Sequence, residues 1–101
     1  MHIPENGFYY HYKHDPAGAF NNYAYEVVGL ARHSEDKSHY VMYRPLYKAE
    51  WLIPAQVVVR PLTTFLEHIL KDGKLVPRFR RIQDIECVAK LNQVRDSMYA
   101  N

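Results

Sequence analysis

The sequence has one cysteine, four glycines and no long apolar run, and each shortage excludes a class of protein. Cys87 has no second cysteine to pair with, which excludes the intramolecular disulfide framework of small secreted domains. No apolar run approaches the roughly 20 residues that a membrane-spanning helix needs. The first six residues lack the basic stretch and apolar core of a signal peptide. We therefore expect a soluble cytoplasmic protein with no membrane partner.

Patterns that hold phosphates or metals are also missing from the sequence. The four glycines are widely separated, so there is no glycine-rich phosphate-binding loop. Six histidines are present, but neither a cysteine pair nor zinc-type spacing accompanies them. His11 and His14 are three positions apart, which on a strand places them on opposite faces. We expect no metal site and no cofactor.

The composition is that of one globular domain, expected to span residues 1–101. With 48% hydrophobic and 24% charged residues, the chain is not wholly disordered. The net charge of +2 does not by itself imply a nucleic-acid partner, but charge is unevenly placed. Residues 60–101 hold eight Lys and Arg against five Asp and Glu, and residues 74–81 hold no acid. That basic stretch could attract phosphate or carboxylate, or could be a solvated turn and strand end.

Tyrosine is the unusual residue of this chain. Eight of the nine tyrosines lie at or before Tyr47, together with Phe8 and Phe20, and Trp51 follows shortly after. Aromatic enrichment in short runs favours strands. Large rings with polar tips can form the core of a small barrel while presenting hydroxyls at its rim.

Aromatic and β-branched runs predict strands over 8–13, 23–33, 39–46, 56–60 and 75–81. We expect the second strand to bend at Gly29 and the last to be interrupted at Pro77. In the first strand, alternation places Phe8, Tyr10 and Tyr12 on one face and Tyr9, His11 and Lys13 on the other. Both faces carry aromatic rings, so neither is simply solvated.

Two helices follow from capping and periodicity. Thr64 to Glu67 fits a capping box, which predicts a short helix that ends at Asp72-Gly73. From Ile82 onward, apolar residues recur every three or four positions, which predicts an amphipathic C-terminal helix. This helix could pack against its own barrel or could pair with a second copy to form a homodimer.

Two groups of residues could carry chemistry. His33 and Glu35 could share a face at a hairpin tip and transfer protons, although a hairpin tip is usually just solvated. The other group would suit an anionic, planar ligand through stacking and bidentate hydrogen bonds. It comprises Tyr9, His11 and Lys13 on one strand face, with Arg44, Arg60 and Arg78. These side chains would equally suit structural contacts, with Glu26 or Glu35 as the partner of an arginine.

Six sequence blocks occur in an order that is similar to a known family. They are Gly7–Lys13, Tyr25–Gly29, Ala31–Glu35, Tyr43–Tyr47, Arg60–Leu62 with Phe65, and Pro77–Phe79. Over residues 7–79 the chain resembles the small, mostly bacterial domain of unknown function 1653. The resemblance implies an SH3-like β-barrel roll, and it implies no established activity, cofactor or partner.

The resemblance gives weight to the candidate ligand-binding residues that fall on the family's motif positions. These are Tyr9, His11, Lys13, His33, Glu35, Tyr43, Arg44, Tyr47, Arg60, Arg78 and Phe79. The chain departs from the family at His14, where a glycine is usual, and in a longer loop over 15–23. Val58 replaces a usual tryptophan, and residues 80–101 extend past the family core.

We therefore predict an α+β domain: a small SH3-like barrel of about five strands, a short helix and a C-terminal amphipathic helix. The predicted function is a non-enzymatic binding module that holds an anionic ligand, a nucleic acid or a nucleotide, in a groove lined by Tyr, His and Arg. The alternatives are a protein-interaction module, since open barrels expose strand edges, and a small enzyme that uses His11 or His33 with Glu35.

Overall fold

The structure is a computed structural model that describes residues 2–100, which form strands and two α-helices. The strands are β1 (Gly7–His11), β2 (Ala24–Arg32), β3 (His39–Pro45), β4 (Val58–Pro61), β5 (His68–Lys71), β6 (Lys74–Pro77) and β7 (Phe79–Arg81). The helices are α1 (Leu62–Phe65), between β4 and β5, and the C-terminal α2 (Ile85–Met98); a 3-10 turn covers Glu50–Leu52. The predicted α+β class is confirmed.

Five strands form the main sheet in the order β4-β3-β2-β1-β7, and β5 and β6 form a separate hairpin. Every neighbouring pair is antiparallel. Strands β4 and β7 lie at opposite edges and do not pair with each other, so the sheet of the described residues is open. The closed barrel that the family resemblance implies is therefore not confirmed.

The aromatic and β-branched runs form strands near the predicted positions, with shifted ends. Strand β1 ends at His11 rather than Lys13, because the chain turns there and the His14 amide donates to the His11 carbonyl at 2.8 Å. The bend predicted at Gly29 is observed as an irregularity in the register of β2 against β3. The last predicted strand, 75–81, is split into β6 and β7, which belong to different sheets.

The helix predicted from Thr64 onward is wrong beyond its first turn. Helix α1 ends at Phe65, and Thr64 lies inside it rather than capping it. Asp72 and Gly73 both have positive φ, at 50° and 78°, as the type I′ turn of a two-residue hairpin requires. This turn pairs β5 with β6, so the Asp-Gly pair that was expected to end a helix instead forms a hairpin.

Both faces of the main sheet are buried, as the two aromatic faces of β1 predict. Tyr9 points to the face covered by α1, which we call the α1 face, and Phe8 points to the face covered by α2, the α2 face. The α1-face cluster comprises Tyr9, Tyr25, Val27, Val41, Tyr43, Leu62, Phe65 and Phe79. The α2-face cluster comprises Phe8, Ala24, Leu46, Ile82 and Leu91.

The C-terminal helix begins at Ile85, later than predicted, because Asp84 caps it by accepting a hydrogen bond from the Cys87 amide at 2.9 Å. Leu91 is fully buried against the sheet, and Val88 packs beside it. The apolar stripe of α2 thus packs on its own sheet. Neither helix of residues 2–100 is long and apolar enough to cross a membrane.

Candidate functional site

Aromatic rings from five elements meet on the α1 face. The ring centroids of Tyr25, Tyr43 and Phe79 lie between 5.4 and 5.8 Å apart, edge to face. Phe65 stacks on Phe79 at 4.3 Å and meets the ring of Tyr9 at 5.7 Å. Edge-to-face and offset-stacked pairs are the arrangements that aromatic rings prefer. Strand pairing therefore brings the predicted residues Tyr9, Tyr43 and Phe79 into one cluster.

His11 is buried at the margin of this cluster, with 9% of its surface exposed. Its Nδ1 accepts a hydrogen bond from the Lys13 amide at 3.2 Å, so the neutral ring carries its proton on Nε2 and can donate there. Burial, as the largest cause, and the positive charges of Arg60, Arg78 and Lys13 together lower the pKa of His11 to about 4. At neutral pH, His11 is therefore an uncharged donor among three cations.

Arg60 is the cation with the fewest partners at this site. Its Nε donates to the Tyr43 hydroxyl at 3.1 Å, and its guanidinium carbon lies 5.5 Å from the centroid of Phe79. Within residues 2–100, no carboxylate lies within ion-pair distance of Arg60. Arg78, in contrast, donates to the Thr64 carbonyl and pairs with Glu67 at 3.3 Å. The charge of Arg60 is thus less neutralised than that of Arg78, and its guanidinium can pair with an anionic ligand.

Two tyrosine hydroxyls adjoin the cluster. The Tyr25 and Tyr47 hydroxyl oxygens lie 2.5 Å apart and share a hydrogen bond. Burial, as the largest cause, raises the pKa of both phenols, so they stay protonated at neutral pH. Two hydroxyls that share one hydrogen bond retain one donor for another partner.

An open cleft of about 480 Å³ lies beside these hydroxyls, and we call it the stacking cleft. It is lined by Asn21, Asn22, Tyr23, Tyr25, Tyr47 and Trp51, together with Ala19. Trp51 is 59% exposed, and Tyr23 is also exposed. The cleft thus presents exposed aromatic rings next to buried polar ones.

Tyr23 holds an unusual backbone conformation at the rim of this cleft. Its φ is 53°, in the left-handed region that bulky residues rarely adopt. Its carbonyl accepts a hydrogen bond from the His11 amide at 3.0 Å, and its ring stacks on the His11 ring at 5.8 Å. Such backbone conformations cost free energy and cluster at functional sites.

Four of the predicted site residues lie apart from the α1-face cluster: Lys13, Arg44, His33 and Glu35. Lys13 follows the end of β1 and is exposed, although its charge acts on His11. Arg44 lies on the α2 face, where its Nη2 is 2.9 Å from Glu26 and its guanidinium covers the Tyr99 ring at 4.0 Å. Glu26 also binds Arg95 of α2 at 2.7 Å. Arg44 therefore takes part in the attachment of the helix.

His33 and Glu35 lie at the far end of β2, in the turn that connects it to β3. His33 Nδ1 accepts from the backbone amides of Glu35 and Asp36 at 3.2 and 3.4 Å, which orders the turn. His11 lies beside the beginning of β2, so the length of that nine-residue strand separates it from Glu35. At the usual rise of a strand this is roughly 25 Å. The structure does not bring His11 and Glu35 together for proton transfer.

The prediction from sequence omitted Tyr23, Tyr25 and Trp51. The tyrosine enrichment was the signal that could have found the first two, because they begin the second strand beside the aromatic first strand. Trp51 belongs to a segment without a clear periodic pattern. In the part of the chain that the structure describes, no three His, Cys, Asp or Glu side chains are grouped to hold a metal ion.

The fold and the site define a small α+β domain with an aromatic and basic surface on one side of an open sheet. The family model described as "Protein of unknown function (DUF1653)" matches residues 7–81, and the chain belongs to this family. The chain is also similar to the crystal structure of a DUF1653 protein from Bordetella bronchiseptica, with 27% identity and a TM-score of 0.63. That match covers 80% of this chain and 90% of the other. No curated protein matches the chain.

Proposed function

We propose that this domain is a non-enzymatic binding module that holds a nucleotide unit, free or within a nucleic acid, on the α1 face. The phosphate binds near Arg60 and His11, and the base lies in the stacking cleft. The observation that carries this proposal is the half-buried guanidinium of Arg60, which has no carboxylate partner in residues 2–100 and lies next to a buried, neutral histidine.

An anion suits the Arg60 side of the site for two reasons. Three positive charges act on His11, and within residues 2–100 only that of Arg78 has an ion-pair partner, Glu67. The neutral His11 adds a ring N–H, and partly buried donors of this kind bind anions more strongly than donors in bulk water. Arginine also presents a planar set of donors that matches two phosphate oxygens at once.

A planar, aromatic group suits the stacking cleft. Its volume of about 480 Å³ is comparable to small-molecule sites. The exposed rings of Tyr23 and Trp51 offer stacking surfaces, and the Tyr25–Tyr47 hydroxyl pair offers a polar contact at the bottom. A nucleotide combines the planar and anionic parts that the two halves of the site favour.

The test uses the fluorescence of Trp51, which is the chain's one tryptophan. We would titrate the protein with the four nucleoside monophosphates and with inorganic phosphate, at low and high salt. Saturable quenching by a nucleotide, weakened at high salt, is the expected result. Arg60→Gln should weaken binding, Arg60→Lys should restore part of it, and Arg32→Gln, at the far end of β2, should change nothing. Folded protein that responds to no nucleotide would overturn the proposal.

A protein-interaction role is the second candidate, and one observation favours it. Leu70 and Leu75 face each other across the β5–β6 hairpin and are 69% and 70% exposed. Exposed apolar pairs of this kind bind other surfaces, including second copies of the same chain. Sedimentation of the wild type and Leu75→Ser would test self-association. A wild-type dimer that dissociates in Leu75→Ser would support the interaction role. A wild type that is monomeric at all concentrations would count against it.

Three further expectations stand as proposals. We infer that the open sheet and the β5–β6 hairpin together form an SH3-like roll, which the strand pairing of an experimental structure of this chain would test. The homodimer through α2 is supported by the exposure of Ile85, and Ile85→Ser in the same sedimentation experiment tests it. Fractionation of the host cells tests the cytoplasmic location.

A further inference from the structure

A second cleft is lined by His11, whose ring stacks on Tyr23 of the stacking cleft. It has a volume of about 250 Å³, and we call it the basic cleft. Its lining includes Tyr10, Tyr12, His14, Pro16, Lys71 and Arg80, together with His11 itself. No acidic residue lines either cleft within residues 2–100.

The rings of the two clefts form one continuous series. The centroid of Tyr47 lies 6.0 Å from that of Tyr23, which is 5.8 Å from His11, and His11 is 4.5 Å from Tyr12. These four rings come from three segments of chain, and β-strand pairing and the loop between β1 and β2 bring them into sequence. A ligand with several planar groups could therefore follow the rings from one cleft to the other.

Fixed cations accompany the second half of this series. Lys71 Nζ donates to the Tyr12 carbonyl at 2.7 Å, which holds its ammonium group at the cleft. The Arg80 guanidinium lies 5.8 Å from the centroid of the Tyr10 ring, and that ring stacks on His14 at 3.6 Å. With Arg60 and Arg78 near His11, positive charge extends from His11 into the basic cleft.

The loop between β1 and β2 forms walls of both clefts, and its side chains hold it in one conformation. The Asn22 side chain accepts from the Asp15 amide at 2.9 Å and donates to the Asp15 carbonyl at 2.9 Å. His14 Nδ1 lies 2.7 Å from the Asn22 carbonyl oxygen.

We propose that the ligand of this surface is a single-stranded nucleic acid, with bases on Tyr47, Tyr23 and Tyr12, on either side of the buried His11, and its phosphates on the cations near His11 and in the basic cleft. The proposal rests on the proposed function and goes beyond it, because a mononucleotide would occupy the stacking cleft alone. Proteins that bind single strands without sequence preference combine a row of stacking rings with a cationic groove. A duplex would not stack here, because its bases are already paired and stacked.

The first experiment is a length series. Single-stranded oligothymidylates and oligouridylates of one to eight nucleotides would be titrated against the intact protein at fixed salt. Affinity should rise with each added nucleotide up to about four, the lower end of the range for small single-strand-binding folds, and then level off. A hairpin duplex of matched length should bind more weakly. The logarithm of affinity should fall with the logarithm of salt more steeply for the tetramer than for the monomer.

The second experiment removes a ring and a cation from the basic cleft by substitution. Tyr12→Ala should weaken tetramer binding about tenfold, because one stacking ring is lost. Arg80→Gln should make the salt dependence of tetramer binding less steep. Neither variant should change mononucleotide binding, since that ligand does not reach the basic cleft. The matched controls are Arg32→Gln, at the far end of β2, and Tyr40→Ala, at the adjacent beginning of β3. Neither should change the affinity for the mononucleotide or for the tetramer.

Failures of the two proposals are distinguishable. If mononucleotides bind in an Arg60-dependent manner but affinity does not increase with length, the single-strand proposal is overturned and the nucleotide proposal stands. The single-strand proposal is also overturned if a duplex binds as tightly as a single strand, or if Tyr12→Ala and Arg80→Gln affect neither the length dependence nor the salt dependence. Binding of neither class by folded protein overturns both.

Discussion

The Nδ1 atom of His11 accepts a hydrogen bond from the backbone amide of Lys13 at 3.2 Å. This contact holds the buried, neutral imidazole in one tautomer next to three cations. The same ring stacks on Tyr23 and meets Phe79 edge to face. His11 is therefore both a structural residue of the aromatic cluster and a link between the basic cleft, which it lines, and Tyr23 of the stacking cleft.

The protonation of His11 should make folding stability depend on pH. The unfolded chain takes up this proton near pH 6.5, and the folded chain takes it up only at about pH 4, so stability falls as the pH falls between these values. The loss between pH 7 and pH 4 should be about 3 kcal/mol, because each pKa unit corresponds to about 1.4 kcal/mol. His11→Asn keeps an acceptor for the Lys13 amide but cannot titrate. Urea unfolding from pH 7 to pH 4 should show a smaller decline in the variant; equal declines would contradict the buried, neutral histidine.

Glu26 should be a major determinant of stability because it joins the sheet to α2. Its buried carboxylate binds Arg44 and Arg95, and Glu26→Gln would remove the counter-charge of Arg44 and leave Arg95 paired with the exposed Asp96. We expect a loss of about 3 kcal/mol in the free energy of unfolding. Glu67→Gln removes the same charge from the exposed pair with Arg78, and it should cost less than about 1 kcal/mol. Urea denaturation of the two variants gives the comparison, and similar losses would refute this role of Glu26.

The packing of α2 on its own sheet can be tested by truncating one buried and one exposed side chain. Leu91→Ala should destabilise the protein by about 3 kcal/mol, since the side chain is fully buried. Ile85→Ala should change stability by less than about 0.5 kcal/mol, because Ile85 is 84% exposed. Thermal unfolding at low protein concentration measures both. A large effect of Ile85→Ala would instead indicate that the exposed side of α2 is covered.

The β5–β6 hairpin depends on the positive φ of its turn. Gly73→Ala places a Cβ at φ 78° and should cost about 1 kcal/mol. Asp72→Asn should be neutral, because Asn-Gly forms the same type I′ turn. Chemical denaturation compares the two variants. If Gly73→Ala is as stable as Asp72→Asn, the turn does not have the left-handed conformation at Gly73.

The strands of the main sheet could be predicted because their signals are local. Alternation in β1 correctly separates Tyr9 from Phe8, and these residues enter different hydrophobic clusters. The helix predicted from Thr64 failed because the capping pattern and the Asp72-Gly73 turn compete for the same segment. A local four-residue pattern does not show whether this segment forms a helix or a hairpin. The strand pairing between β5 and β6 shows that it forms the hairpin.

The site was harder to predict than the fold because it depends on which face each strand presents. Arg44 and Arg60 look equivalent in sequence, yet Arg44 lies with Glu26 on the α2 face and Arg60 lies with Tyr43 near the aromatic cluster. The register that decides this comes from distant partners: Arg44 pairs with Glu26, 18 residues away in sequence, and Arg60 pairs with Val41, 19 residues away. Trp51 lies in a 3-10 turn and not in a strand ladder, so no periodic pattern in the sequence predicted its position.

Adjacent residues of β2 serve opposite sides of the molecule: Tyr25 enters the aromatic cluster and Glu26 holds the C-terminal helix. Side chains alternate along a strand, so deleting one residue before Tyr25 within the sheet register would exchange the two faces. The carboxylate would then lie among the rings, and a phenol would meet the arginines. We therefore expect insertions and deletions in the connections before and after β2, and substitutions alone within the strand.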